Sequence, residues 1–216
     1  MKNEMPSTAM PHDHTHTAGQ QTLVNGLQIR EHRFTLPLDY TQPNGRKVEV
    51  FAREIACANA SEGQPWMIFF QGGPGCESPR PTGKNGWIGE VLKDHRLLLL
   101  DQRGTGLSSR VLPQTLAKEG DTQDQADYLT HFRADNIVRD SESIRKILIG
   151  EKQKWYGAGQ SYGGFCLLSY LSLHPEGLAG VIITGGVACV KQNIKDNYRL
   201  TYKRTIEKNQ LYYQRY

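Results

Sequence analysis

Four short apolar runs constrain the fold of this 216-residue chain more than any other feature. They are WMIFF (66–70), RLLLLD (96–101), WYGAG (155–159) and GVIIT (180–184). Runs of this length and composition are typical of strands that are buried on both faces. Helical patterns lie over residues 132–148 and 162–174, between and after the later runs. Strands that alternate with helices in this way predict an α/β fold with a mostly parallel sheet.

Two longer segments near the N-terminus predict a different kind of strand. Residues 27–38 and 46–57 alternate apolar and polar side chains, as half-exposed strands do, and a turn-forming sequence lies between them at 41–45. We therefore predict an antiparallel hairpin at one margin of the sheet. Residues 1–21 are polar and lack the apolar core of a signal peptide, so they are predicted to form a disordered leader. The α/β core is then predicted over residues 22–192.

Charge and composition exclude several classes of function. No stretch reaches the ~18 apolar residues that a membrane span needs. The net charge is only +4, and acidic and basic residues interleave over 134–146, which predicts a solvated helix face. We therefore predict neither a membrane nor a nucleic acid as partner, and a cytoplasmic location. The histidine-rich run HDHTH (12–16) lacks a fourth ligand, so we predict no metal site there. No two cysteines form a C-x-x-C pair, so we predict free thiols, no metal and no cofactor.

The sequence GQSYG gives the third apolar run a chemical interpretation. Ser161 lies between Gly159 and Gly163, directly after a predicted strand and directly before a predicted helix. That is the setting of a nucleophile elbow, a sharp turn that exposes a serine hydroxyl while glycines let the strand and helix approach closely. We predict that Ser161 is a nucleophile. A purely structural Gly-Ser-Gly turn is the alternative.

The glycine-rich loop after the first apolar run predicts the second part of such a site. Acyl transfer needs two fixed N–H donors for the oxyanion that develops in the transition state. We predict that the backbone N–H groups of Gly73 and Tyr162 supply them. Gly72, Pro74 and Gly75 are predicted to shape the loop that faces the substrate.

The sequence DQRGTGLSS follows the second apolar run. Its Asp101 and Arg103 carry opposite charges at the same predicted edge of the sheet as Ser161. We predict that these two side chains pair with each other and brace the loop. This structural role is favoured over a direct catalytic one.

The three motifs in this order resemble those of the proline iminopeptidases, which are α/β-hydrolase serine peptidases that release N-terminal proline from peptides. The resemblance covers residues 22–216 and is nearest to the longer-chain branch, through QGGPGCESPRP (71–81) and LYYQRY (211–216). It implies an α/β-hydrolase fold, a peptide substrate with a free N-terminus and an acyl-enzyme mechanism through Ser161. It also implies that residues 193–216 begin a helical cap.

The general base is the group that this sequence does not supply. In this fold the catalytic acid and histidine follow the serine along the chain, but the only later histidine, His174, is separated from Ser161 by the length of a helix. His95 precedes a predicted strand and is therefore expected at the opposite edge of the sheet. His131 is a weak candidate that is more readily interpreted as a surface residue.

The resemblance offers an account of the missing groups. Members of the family carry the acid and the histidine on two further strands after the cap, so the chain resembles an N-terminal portion that is truncated after the sixth core strand. A fragment, a truncated gene product and a partner chain that supplies the rest are open explanations, and we expect the chain alone to be inactive. An esterase or amidase with the same machinery and a non-catalytic binding protein are the alternatives. The sequence makes no prediction of the oligomeric state.

Overall fold

The computed structural model describes residues 15–186 and 194–216. The chain divides into two compact units, the first of which ends at Gly186. The strands are β1 (Thr15–Ala18), β2 (Thr22–Val24), β3 (Leu27–Pro37), β4 (Lys47–Cys57), β5 (Trp66–Phe70), β6 (Arg96–Asp101), β7 (Trp155–Gln160) and β8 (Leu178–Thr184). The helices of the first unit are α1 (Gly86–Val91), α2 (Pro113–Leu116), α3 (Thr122–Thr130), α4 (Ala134–Ile149) and α5 (Tyr162–Leu173), with a 3₁₀ helix at Pro175–Gly177. The second unit contains α6 (Ile194–Arg215).

All eight strands belong to one sheet. Its order is β1-β3-β4-β6-β5-β7-β8, and β2 also pairs with β3. The neighbours β6, β5, β7 and β8 run parallel to one another, whereas every pair from β1 to β6 on the other side is antiparallel. The predicted α/β fold with an antiparallel N-terminal margin is confirmed. Because the parallel strands share one direction, the loops that follow them meet at one edge of the sheet.

The antiparallel margin is larger and better buried than the sequence predicts. The two strands of the hairpin, β3 and β4, pair along their full length, from Leu27 opposite Cys57 to Pro37 opposite Lys47. The expectation that β4 is half-exposed is wrong, since its residues 50–56 are all buried. The reason is that β4 lies inside the sheet, between β3 and β6, and its side chains pack into apolar clusters on both faces, Val50 and Ala52 on one and Ile55 on the other.

The predicted disordered leader is wrong for residues 15–18, which form β1. This strand pairs with β3 from Thr15 opposite Thr35 to Ala18 opposite His32. The His16 ring stacks on Phe34 with ring centroids 4.6 Å apart, so the open edge of β3 recruits a segment that has no strand pattern of its own. The first fourteen residues, which include most of the HDHTH run, lie outside the described residues.

Each face of the sheet has its own apolar cluster. One face packs against α4 and α5, and its buried side chains include Phe34, Ile68 and Leu167. The other face packs against α1, with Met67 and Leu92 among the buried residues. None of the helices that the structure describes is long and apolar enough to cross a bilayer.

The interleaved charges of α4 do not all face solvent. The prediction of a solvated face over 134–146 is wrong for Asp140, Glu142 and Arg145, which are buried. Asp140 pairs with Arg103, and Glu142 pairs with Arg145. These ion pairs make the burial of charge possible on the face of α4 that meets the sheet.

Candidate functional site

Ser161 occupies a sharp turn between a strand and a helix. It is the one residue between the end of β7 and the start of α5, and its backbone angles are φ 55 and ψ −116. An L-residue at positive φ is strained unless its surroundings hold it there. Two hydrogen bonds do so, because the Ser161 N–H donates to the Thr184 carbonyl (2.9 Å) and the Gly164 N–H donates to the Ser161 carbonyl (3.0 Å).

Glycines let three chain segments converge on this turn. A Cβ atom on Gly159 would lie 2.5 Å from the Gly163 carbonyl oxygen, and one on Gly163 would overlap the Phe70 carbonyl. A Cβ atom on Gly72 would lie 3.1 Å from the Ser161 Cβ. The glycine loop after β5 is therefore directly against the serine turn, and the structure brings together the two motifs that the sequence singled out.

A buried glutamine holds the start of the glycine loop. Gln102 follows β6 and is 3% exposed. Its Nε2 donates to the Gln71 carbonyl at 3.0 Å, which fixes the peptide plane that leads into Gly72. Gly73 then adopts φ 126, a conformation that favours glycine. Gln102 had no role in our sequence interpretation, since a lone glutamine beside charged neighbours carries no motif of its own.

Asp101 braces the site, but not through Arg103. Its two carboxylate oxygens accept hydrogen bonds from the backbone N–H groups of Ser78 (2.9 Å) and Leu107 (2.8 Å). The predicted Asp101–Arg103 pair is therefore wrong. The carboxylate is already satisfied by two loops, and it lies so close to Gly106 that a side chain there would overlap it. Asp101 thus ties the loop after β5 to the loop after β6.

Arg103 pairs instead with Asp140 of α4. Its Nε and Nη2 atoms donate to the two oxygens of that carboxylate at 2.7 and 2.5 Å. Nη1 and Nη2 also donate to the carbonyls of Leu38 (2.9 Å) and Pro37 (3.0 Å). Burial lowers the pKa of Arg103, but Asp140 raises it by more. The pair joins the end of the hairpin to α4, and the side chains of both Asp101 and Arg103 form hydrogen bonds within the fold.

No histidine ring in residues 15–186 forms a hydrogen bond with Ser161. His174 follows the last residue of α5 and its Nδ1 contacts Glu176 at 3.2 Å. His95 lies before β6 and its ring contacts Tyr156 near the start of β7, at the opposite end of these strands. His131 contributes its backbone carbonyl to Arg103. Within residues 15–186, no side chain forms a hydrogen bond with the Ser161 hydroxyl.

The thiols near the site differ in environment. Cys166 lies in α5, where burial raises its pKa to about 12 although Tyr162 opposes this shift. Cys76 is exposed at the end of the glycine loop, Cys57 is half-buried, and all three thiols are free. Cys189 lies outside the described residues. In the described part of the chain, no group of three or more His, Cys, Asp or Glu side chains is arranged to hold a metal ion.

Comparison with known families agrees with this architecture. The family model described as alpha/beta hydrolase fold matches residues 65–211. That range contains all four parallel strands, the glycine loop and the serine turn. The chain therefore belongs to the α/β-hydrolase fold family.

The similar proteins within that fold are proline iminopeptidases. The Aeromonas sobria enzyme is 44% identical over 196 residues, which are 90% of this chain and 46% of that protein. One from Aspergillus aculeatus is 40% identical over an alignment of 195 residues that covers 86% of this chain and 43% of that protein. The predicted resemblance is confirmed, and the chain spans less than half the length of these relatives.

Proposed function

We propose that the chain is the N-terminal portion of a serine hydrolase that releases N-terminal proline from peptides. The observation that carries the proposal is the conformation of Ser161, held at positive φ between β7 and α5 with Gly72 directly against it. Such strain persists only where surrounding structure maintains it, and it is typical of functional positions. The identity with two proline iminopeptidases supports the choice of substrate.

In the proposed mechanism the Ser161 hydroxyl attacks the carbonyl carbon of the N-terminal residue. The resulting oxyanion accepts hydrogen bonds from the backbone N–H groups of Gly73 and Tyr162. The N-terminus of α5 adds a partial positive charge at the same place. Collapse breaks the peptide bond, the amine of the shortened peptide leaves with the proton taken from Ser161, and water then hydrolyses the acyl-enzyme to release proline and restore the serine hydroxyl. Gly72, Pro74 and Gly75 shape the loop along which the substrate lies.

The base that accepts the serine proton belongs, in this proposal, to a further part of a longer protein. Support comes from the histidines of residues 15–186, none of which forms a hydrogen bond with Ser161, and from the relatives, of which more than half is unmatched. A serine without a base retains only the rate provided by the oxyanion donors and by substrate binding. We therefore expect the 216-residue chain alone to be essentially inactive. Residues 193–216 would begin the cap that encloses the peptide N-terminus.

A chimera tests which reaction this half supports. Residues 1–186 of this chain are joined to the matching C-terminal part of the Aeromonas sobria relative, and the kcat/KM values for proline naphthylamide and for a short acyl ester are compared with those of the intact relative. A naphthylamide-to-ester ratio within about tenfold of the intact enzyme supports peptidase chemistry. A chimera that hydrolyses only the ester favours the esterase alternative. A folded chimera that hydrolyses neither favours a non-catalytic binding protein.

A further inference from the structure

A groove of about 470 Å³ in the first unit is separate from the serine turn and the glycine loop, since none of its lining residues belongs to either. Three segments form it: the start of β4, the chain at 109–110 and the region from α2 to α3. Its volume falls within the range of about 300–1,000 Å³ that is typical of small-molecule sites. We refer to it as the basic groove.

The basic groove concentrates positive charge. It is lined by four cationic side chains, Arg46, Lys47, Arg110 and Lys118, and by one carboxylate, Glu119, which gives a net formal charge of +3. The whole chain carries +4, so the excess at this one surface is large for the protein. Like charges around a concavity raise its potential and attract anions.

The single carboxylate is not available to neutralise the other cations. Both Glu119 oxygens accept hydrogen bonds from Arg46, at 2.5 and 2.8 Å, and form a bidentate ion pair with it. The Arg46 guanidinium also lies over the Tyr128 ring, with its carbon 4.8 Å from the ring centroid. Lys47 donates to the Pro43 carbonyl at 2.6 Å.

The other two cations have no such partners. Within residues 15–186, the side chains of Arg110 and Lys118 form no hydrogen bond and no ion pair. Lys47, Arg110 and Lys118 therefore face the groove without a compensating acid in it.

Ser109 and Thr115 add hydroxyl groups to the lining, and the Thr115 hydroxyl already donates to the carbonyls of Arg110 (3.1 Å) and Leu112 (3.0 Å). The Ser109 hydroxyl accepts a hydrogen bond from the Glu49 N–H at 2.9 Å, and it keeps its own proton to donate. Tyr128 also lines the groove, and its hydroxyl forms no hydrogen bond within residues 15–186. A ligand that matches this arrangement needs several acceptor oxygens and more than one negative charge.

We propose that the basic groove binds a small phosphate-bearing polyanion, of the diphosphate class. Two adjacent phosphate groups supply compact, acceptor-only oxygens for guanidinium, ammonium and hydroxyl donors at once. A single carboxylate would leave most of the uncompensated charge unpaired. The pair of Arg46 with Glu119 forms the wall, while Lys47, Arg110 and Lys118 contact the ligand. This site is independent of the proposed hydrolase activity.

Isothermal titration of the purified chain with sodium pyrophosphate tests the proposal. The variant is Arg110→Gln/Lys118→Gln, and its matched control is Lys152→Gln/Lys154→Gln, which removes two exposed positive charges outside the groove. We expect saturable binding of one pyrophosphate per chain, weakened roughly tenfold or more in the variant and less than about twofold in the control. All substituted side chains are exposed, so far-UV circular dichroism should be unchanged.

Two results would overturn the proposal: the absence of saturable binding, or an equal loss of affinity in variant and control. A second measurement uses the unaltered chain. Pyrophosphate should slow the chemical acetylation of Lys47 and Lys118, detected by mass spectrometry, and leave the rate at Lys152 unchanged. Uniform rates at all three lysines would also contradict the site.

Discussion

The buried ion pairs of the fold and the turn at Ser161 use polar side chains in opposite ways. Near the amino ends of the parallel strands, buried charges are closed into networks. Glu54 accepts hydrogen bonds from Arg96 (2.6 Å) and His32 (3.1 Å). Glu142 accepts two from Arg145 (2.9 and 2.7 Å) and one from the Tyr170 hydroxyl (2.8 Å).

At the carboxyl ends, the hydrogen-bond network does not include the Ser161 hydroxyl. Asp101 and Gln102 use their side chains to hold the backbone of neighbouring loops, while the Ser161 hydroxyl has no side-chain partner within residues 15–186. The buried pairs thus stabilise the fold, and the Arg103–Asp140 pair does so at the carboxyl ends as well, whereas the turn at Ser161 maintains strain around a hydroxyl with no side-chain partner in these residues. Substitutions in the buried pairs and at Ser161 should therefore affect stability with opposite signs.

The largest effect is expected for Glu142→Ala. The substitution leaves the Arg145 guanidinium buried without its carboxylate, and the loss of one partner of a buried pair typically costs about 3–5 kcal/mol. The matched control is Glu90→Ala, because Glu90 also pairs with a cation three residues away but its side chain is 73% exposed, against 6% for Glu142. Urea unfolding should separate the two variants. Equal free energies of unfolding would contradict the distinction between buried and exposed ion pairs.

A smaller effect should appear in the pH dependence of stability at Glu54. Burial raises the pKa of this carboxyl, but the hydrogen bonds from His32 and Arg96 lower it by more. The pKa of Glu54 therefore lies below its ordinary value of 4.5. A lowered folded-state pKa stabilises the protein above the unfolded pKa, and the contribution is lost as the pH falls through the folded value. We expect the difference in free energy of unfolding between the unaltered protein and Glu54→Gln to become smaller below about pH 4.5, when unfolding is measured from pH 7 downwards. A constant difference would contradict the shift.

The substitution Ser161→Gly should change the free energy of unfolding in the opposite direction. Glycine adopts positive φ readily, so the substitution relieves strain and is expected to raise the free energy of unfolding by about 1 kcal/mol, even though glycine gains entropy in the unfolded state. Ser161→Ala keeps the strain and serves as the control, with stability close to that of the unaltered chain. A destabilised Ser161→Gly variant would show that the hydroxyl has a stabilising partner.

The smallest effect concerns the alkylation rates of the thiols. Cys76 is exposed beside the glycine loop, whereas burial holds the pKa of Cys166 at about 12. Because the thiolate is the reactive form, iodoacetamide at neutral pH should modify Cys76 long before Cys166, as peptide mass spectrometry would show. In urea both should react at similar rates. Early modification of Cys166 in the folded chain would indicate that α5 opens readily.

Local pattern predicted the centre of the sheet well and its periphery less well. The observed bounds of β5 and β6 are those of the apolar runs, because strands buried on both faces need no partner to be recognised. The sequence of β1, by contrast, has no strand pattern, and its pairing depends on the free edge of β3. The elbow was predictable because its glycines and serine are contiguous in sequence.

Contacts between distant segments escaped the sequence. Asp140 is buried by a guanidinium 37 positions earlier, and the Gln102 bond to Gln71 spans 31 positions. The four cations of the basic groove likewise come from three separate segments. Charged residues within a helix are ordinarily interpreted as solvated, and only the packed structure shows which of them have found a partner.

The central claim is that Ser161 is the nucleophile and that its base lies outside residues 15–186. The most direct measurement is kcat/KM for proline naphthylamide in the chimera with the Aeromonas sobria C-terminal part, with and without Ser161→Ala. We predict that the chimera hydrolyses the substrate and that Ser161→Ala lowers kcat/KM by at least about 10⁴-fold. A folded Ser161→Ala chimera with undiminished activity would contradict the account.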